Sequence, residues 1–79
     1  MRDEMVLIDK LEWGDYVRVR DEAPRKYSIM KFGIICGKRI VEDPETARQF
    51  GETVGTMLYL VESSDGDSIE IPERYLEQN

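Results

Sequence analysis

Histidine is absent from the 79-residue sequence, and cysteine occurs once, as Cys36. Without histidine, the sequence lacks the usual general base of nucleophilic catalysis and the commonest metal ligand. One cysteine cannot form an internal disulfide, and it would leave a transition metal with a single thiolate and carboxylates as ligands. We therefore predict a non-catalytic protein with no cofactor and no metal site.

Long apolar runs are also absent. The longest covers residues 57–61, far short of the roughly 20 residues that span a membrane. Near the start of the chain, apolar residues 6–8 lie between acidic residues, unlike the apolar centre of a signal peptide. These features predict a soluble, cytoplasmic protein that does not enter a membrane. The chain is 41% hydrophobic, which is sufficient for one small domain over residues 1–79.

Charge is unevenly distributed along the chain, whose net charge is −6. Residues 18–39 contain seven basic and two acidic residues, a balance of +5. Residues 40–79 contain ten acidic and two basic residues, a balance of −8. Such a separation can orient a charged partner during association. It is equally typical of strand faces and loops that are simply solvated, and both interpretations stay open.

Two segments in the first half of the chain have strand-like patterns. Residues 16–20 alternate between apolar and polar side chains, which predicts a strand with one buried face. Residues 29–41 form a longer apolar region, in which Gly33 and Gly37 indicate a bulge, a bend or the close approach of another backbone. The short segment at residues 5–11 mixes apolar and charged residues and fits either an edge strand or one helical turn.

A β-hairpin is predicted in the second half. Residues 57–62 and 67–71 are strand-like and are separated by the four residues 63–66, which contain Asp-Gly, a strong turn pair because glycine tolerates positive φ. The predicted core consists of apolar residues on one face of the strands. They are Val17, Val19, Ile34, Leu58, Leu60, Ile69 and Ile71.

A short helical insertion is predicted over residues 44–50. Asp43 can cap the first free amides, Pro44 suits the first helical position, and Gly51 can end the helix. Residues 21–26, by contrast, are charged and contain a proline, which predicts a surface loop.

The C-terminal segment reads Ile-Pro-Glu-Arg-Tyr-Leu over residues 71–76. Its proline ends the last strong strand, residues 73–76 fit one 3-10 turn, and residues 77–79 should fray. With Gly-Asp-Tyr-Val-Arg-Val at residues 14–19, the glycine-bent strand and the hairpin, this ending resembles SH3-type domains over residues 14–77. The resemblance implies a mainly β fold, a small SH3-like barrel of about five antiparallel strands with a C-terminal 3-10 turn.

The same resemblance implies a set of partner-binding residues. In SH3 domains the corresponding proline and tyrosine help to form the groove for proline-rich peptides, which implies that role for Pro72 and Tyr75. The strand pattern is also similar to SH3-like accessory subunits that dock ferredoxin onto photosynthetic complexes through a basic surface. The corresponding candidates here are Arg18, Arg20, Lys38 and Arg39.

Tyr16 lies beside these basic residues in the sequence, and aromatic residues among basic ones can stack on single-stranded nucleic acid. The sequence pI near 4.6 opposes the attraction to phosphate on which such binding depends. Nucleic acid is therefore not the expected partner.

The function that we expect first is a non-catalytic protein-interaction module or an accessory subunit of a larger complex, with a protein as its partner. An alternative is a small acidic inhibitor or immunity-type protein that covers a basic enzyme surface with Glu42, Asp43, Glu45 and the turn at residues 65–70. A further alternative is a small nucleic-acid-binding barrel that uses the basic strands.

Overall fold

The computed structural model of the chain describes residues 11–78. This part is mainly β, with five strands, two short helices and one 3-10 turn. The strands are β1 (Tyr16–Val19), β2 (Phe32–Ile40), β3 (Met57–Glu62), β4 (Ser68–Pro72) and β5 (Leu76–Gln78). The helices are α1 (Arg25–Ser28) and α2 (Pro44–Phe50), and the 3-10 turn covers Glu73–Tyr75.

All five strands lie in one antiparallel sheet in the order β4-β3-β2-β1-β5. The predicted mainly β fold with about five antiparallel strands is therefore confirmed. The expected closure into a barrel is not observed, because within residues 11–78 β4 pairs only with β3 and β5 pairs only with β1. Alternating side chains identify strands, but they do not determine whether the two end strands of a sheet meet.

The helix predicted over residues 44–50 is confirmed as α2. Its N-cap, Asp43, accepts hydrogen bonds from the hydroxyl of Thr46 at 2.8 Å and from the Thr46 amide at 3.1 Å. These bonds hold the pKa of Asp43 below its usual value, because they favour the charged carboxylate. Gly51 ends the helix in the left-handed region at φ 67°.

The predicted hairpin is confirmed as β3 and β4, and Gly66 has the positive φ of 93° that its turn requires. Two other predictions were wrong. Residues 25 and 26, expected in a loop, begin α1, because Pro24 precedes the helix, where its missing amide costs nothing. The end of the chain was expected to fray, but Glu77 pairs with Arg18 in β5. Residues 5–10 and 79 lie outside the described residues, and Leu11 belongs to no strand or helix.

A β-bulge divides β2 into two halves. Ile35 pairs with Val61 and Gly37 pairs with Leu60, so Cys36 is an extra residue with no partner opposite it in β3. One extra residue reverses the alternation of side chains along the strand. The first half of β2 therefore sends Ile35 to one face of the sheet, and the second half sends Val41 to the other face.

The two faces of the sheet carry two separate apolar clusters. The larger, inner cluster comes from all five strands and from the segment that contains α1. Its buried members are Val17, Val19, Ala23, Tyr27, Ile35, Tyr59, Val61, Ile71 and Leu76. The smaller, outer cluster is formed where α2 packs on the sheet, and it contains Val41, Ala47 and Leu58 with Phe50 against them.

The predicted core is confirmed in part. Four of its members are fully or almost fully buried: Val17, Val19, Leu58 and Ile71. Leu60 and Ile69 are half-buried. Ile34 was assigned to the core wrongly, because it pairs with Tyr16 and Glu62, both exposed, on the face opposite the inner cluster.

Candidate protein-interaction surface

Three large apolar side chains are exposed together on the outer face of β1 and β2. Tyr16 pairs directly with Ile34, and Phe32 lies two residues before Ile34 on the same face. Their exposed fractions are 61%, 39% and 49% for Tyr16, Ile34 and Phe32. We call these three residues the outer patch.

The outer patch is exposed because α2 covers only the other end of the same face. That helix packs over Leu58, which pairs with Arg39 in the second half of β2. The patch lies at the first half of β2, where the described residues place no helix over it. Next to it, Glu62, Ser63 and Ser64 at the end of β3 form the far side of a shallow groove of about 350 Å³.

Phe32 is held in place by the backbone just before it. Lys31 has a left-handed conformation at φ 67°, which is uncommon for a residue other than glycine. Its carbonyl accepts a hydrogen bond from the amide of Val19 at 2.8 Å, and the Phe32 amide donates to the carbonyl of Met30 at 2.8 Å. The tight connection from α1 therefore sets where β2 begins and which face Phe32 occupies.

Charged residues beside the outer patch are paired with one another. Arg18, which lies opposite Phe32, forms an ion pair with Glu77 and lies 3.5 Å from Asp21. Arg20 also approaches Glu77, at 3.5 Å. The basic side chains that sequence analysis placed on β1 are therefore balanced by carboxylates, one of which belongs to the unexpected strand β5.

The other two basic candidates lie apart from β1. Arg39 forms a fork with Glu70, with Nε 2.6 Å from Oε2 and Nη2 2.9 Å from Oε1. Lys38 is adjacent in sequence but lies opposite the buried Tyr59, in register with the inner face. The four basic candidates thus do not form one continuous surface.

The fork gives a testable pH dependence. The hydrogen bond from Arg39 holds the pKa of Glu70 below its usual value of 4.5, although burial opposes the shift. The fork therefore stabilises the folded state fully at pH values above the usual pKa of glutamate, and this stabilisation is lost as the pH falls through the lower pKa of Glu70 in the folded state. We expect Arg39→Gln to lower the free energy of unfolding at pH 7, because it removes both hydrogen bonds to the Glu70 carboxylate. The loss should shrink in urea titrations from about pH 5 to about pH 3.

Asp43 has a lowered pKa as well, but the Arg39 substitution leaves its bonds to Thr46 in place. The Arg39→Gln/Glu70→Gln double variant is the control, because it lacks the titrating carboxylate altogether. If Arg39→Gln unfolds with the same pH profile as the unchanged chain, the fork does not stabilise the protein in solution.

Pro72 and Tyr75, the residues implied by the SH3 resemblance, do not form an exposed pair. Pro72 is fully buried. The Tyr75 ring is half-buried against Tyr27 of α1, with 5.7 Å between ring centroids, and the guanidinium carbon of Arg74 lies 4.7 Å from its centroid. Burial also raises the pKa of the Tyr27 hydroxyl. Helix α1 therefore occupies the surface beside Tyr75.

The acidic residues considered as inhibitor contacts have mixed surroundings. Asp43 is engaged by Thr46, and Glu70 by Arg39. Glu42 and Glu45 are exposed near the start of α2, and the turn at residues 65–67 is exposed at the opposite end of β3. Because they lie at opposite ends of β3, these two acidic segments do not form one continuous surface.

Tyr16 and Arg18 were predicted as contact residues from the sequence, whereas Phe32 and Ile34 were not. The signal that could have revealed them is their spacing of two, which places both side chains on one face of a strand. The residue between them is a glycine, so no side chain on the opposite face identifies that face as the apolar one.

Residues 11–78 contain no helix that is long and apolar enough to cross a membrane. The same residues contain no group of three cysteine, aspartate or glutamate side chains arranged to hold a metal ion. No protein-family model, curated protein or solved structure matches the chain.

Proposed function

We propose that this chain is a non-catalytic protein-interaction module or accessory subunit, and that it binds a protein partner through the outer patch. The observation that carries the proposal is the clustering of the exposed side chains of Tyr16, Phe32 and Ile34 on the part of the outer face that α2 does not cover. Single exposed apolar residues are common, but adjacent aromatic and aliphatic side chains with a charged rim are typical of protein interfaces.

A protein partner is favoured over nucleic acid by the state of the basic residues. Arg18, Arg20 and Arg39 each have a carboxylate within 3.5 Å, so these side chains are already neutralised. Binding to phosphates would require the chain to give up those pairs, in a protein whose net charge is −6.

The SH3-like character of the fold is part of the same proposal. Five antiparallel strands, a tight hairpin between β3 and β4, and a 3-10 turn between β4 and β5 support it. The buried Pro72 and the packing of Tyr27 on Tyr75 favour the outer patch over a groove for proline-rich peptides. A single cysteine and no disulfide are compatible with a cytoplasmic location, which we also propose.

Site-specific photo-crosslinking in the cell that expresses the chain tests the proposal. A benzoylphenylalanine placed at Tyr16 or at Phe32 should crosslink the same protein. The matched control is the same group at Gln49, an exposed position of α2. Crosslinks that appear equally from Gln49, or different proteins from Tyr16 and Phe32, would contradict a specific surface.

The purified partner then allows an affinity measurement by titration calorimetry. We expect Ile34→Asp to weaken binding by about tenfold or more, because it places a charge in the centre of the interface. Val54→Asp is the control, because Val54 is also exposed but follows α2, away from β1. Equal affinities for the two variants would exclude the outer patch as the contact.

A further inference from the structure

Strand β2 continues past the end of β1, and among residues 11–78 its last part is paired with β3 alone. Its register with β1 covers Phe32–Ile34, whereas its register with β3 continues to Ile40. On the β1 side, the last backbone contacts are from Gly14 and Asp15 to Ile35. Beyond Ile35, no residue of the described range 11–78 pairs with that side of β2.

The hydrogen bonds of Val41, just after β2, show which backbone groups of the strand face this open side. Val41 bonds toward β3, since its amide donates to Thr56 and its carbonyl accepts from Gly55, both at 2.8 Å. Backbone groups alternate in direction along a strand, so the amide and carbonyl of Arg39 also face β3. The amides and carbonyls of Lys38 and Ile40 therefore point away from β3, and none has a partner on that side among residues 11–78.

An apolar groove with one cationic side chain lies next to these groups. Glu12, Trp13, Cys36 and Lys38 are among the residues that line it, and its volume is about 390 Å³. Trp13 is the most exposed large apolar side chain in the described part of the chain, at 77%. Lys38 has no carboxylate within ion-pair distance in residues 11–78, in contrast to Arg18, Arg20 and Arg39.

We propose that an extended segment of a partner polypeptide adds to this open side of β2 as a further antiparallel strand. Two residues that each present an amide and a carbonyl on one edge match the hydrogen-bonding pattern of another extended backbone. The groove beside Trp13 and Cys36 takes an apolar side chain of the added strand, and Lys38 selects an acidic one by charge complementarity. The site is separate from the outer patch and does not depend on it.

Phage-displayed random 12-residue peptides, selected against the full chain, provide the probe. We expect the selected peptides to combine alternating apolar residues with acidic ones. Amide hydrogen exchange then locates the contact. Binding should slow exchange at Lys38 and Ile40 by about tenfold or more, while the Arg39 amide, already bonded to β3, should change little.

Two variants of the chain distinguish this strand addition from non-specific binding of the peptides. Lys38→Glu should weaken binding of the selected peptides by about tenfold or more, whereas Arg25→Glu, an equal change of charge at an exposed position of α1, should not. A selected peptide remade with N-methyl groups on the amides facing β2 should lose binding, which tests the backbone contact without changing the protein.

Several results would overturn the proposal. They are a failure to enrich peptides, protection at the outer patch or the β4 edge in place of Lys38 and Ile40, and equal binding by Lys38→Glu. Slow exchange at Lys38 and Ile40 in the free chain would also overturn it, because the open side would then be covered by the chain itself or by a second copy. Sedimentation of the free chain distinguishes those two occupants.

Discussion

Gly33→Ala should lower the free energy of unfolding by about 3 kcal/mol, a large share of the stability of a domain of this size. A Cβ atom at residue 33 would overlap Cγ1 of Val61 and lie 2.8 Å from the carbonyl oxygen of Glu62. Val61 is fully buried, and both contacts belong to β3, which is paired on its two sides. Neither neighbour can move without shifting the centre of the sheet.

Gly37→Ala is the matched control for this substitution. Gly37 lies in the same strand, but an added Cβ would meet only Leu60, at 3.5 Å from its Cβ, which is ordinary van der Waals contact. We expect the control to change the free energy of unfolding by less than about 1 kcal/mol. Urea unfolding followed by far-ultraviolet circular dichroism measures both. Similar losses for the two variants would mean that backbone flexibility, and not the close approach to β3, determines the effect.

Arg74→Met is expected to destabilise the chain by about 2 kcal/mol. The Glu52 side chain is only 7% exposed, and its Oε2 accepts from Nε and Nη2 of Arg74, each at 2.9 Å. Without the guanidinium, a nearly buried carboxylate is left unpaired. The loss is smaller than for a fully buried pair because the Arg74 side chain is itself 58% exposed. Methionine keeps an apolar stem beside the Tyr75 ring, so packing is largely retained.

A double-mutant cycle with Glu52→Gln isolates the ion pair from other effects. Removing both charges should cost less than the sum of the single changes, with a coupling energy of about 1–2 kcal/mol in thermal or urea unfolding. Additive losses would show that Arg74 stabilises the protein through Tyr75 alone. Arg74→Lys adds a further comparison, because it keeps the charge but loses the second hydrogen-bond donor that reaches Oε2.

The elements with strong local signals could be predicted from the sequence. The run of Asp43, Pro44 and Gly51 defines both ends of α2, and the Asp-Gly pair locates the turn between β3 and β4. These signals act within a few residues, so no knowledge of the rest of the chain is needed. Strand β5 was missed because its three residues gain stability only by pairing with β1, which is distant in sequence.

The candidate surface was less predictable, for a different reason. Whether Ile34 is buried depends on how far α2 extends over the outer face, and helix placement is a tertiary property. Adjacent residues Lys38 and Arg39 were grouped as one basic set, yet strand geometry separates neighbouring side chains. Glu70 and Glu77, the carboxylates that neutralise the arginines, come from the other end of the chain.

The extra residue at Cys36 allows β2 to be shortened by one position. If Cys36 were deleted, Ile35 and Gly37 would become consecutive, as their partners Val61 and Leu60 already are, and the two strands would form a regular ladder. Every residue from Lys38 onward would keep its partner in β3 and its face of the sheet, so Val41 would stay with Leu58 beside α2. Descendants of this chain can therefore lose this one position without losing the helix contact.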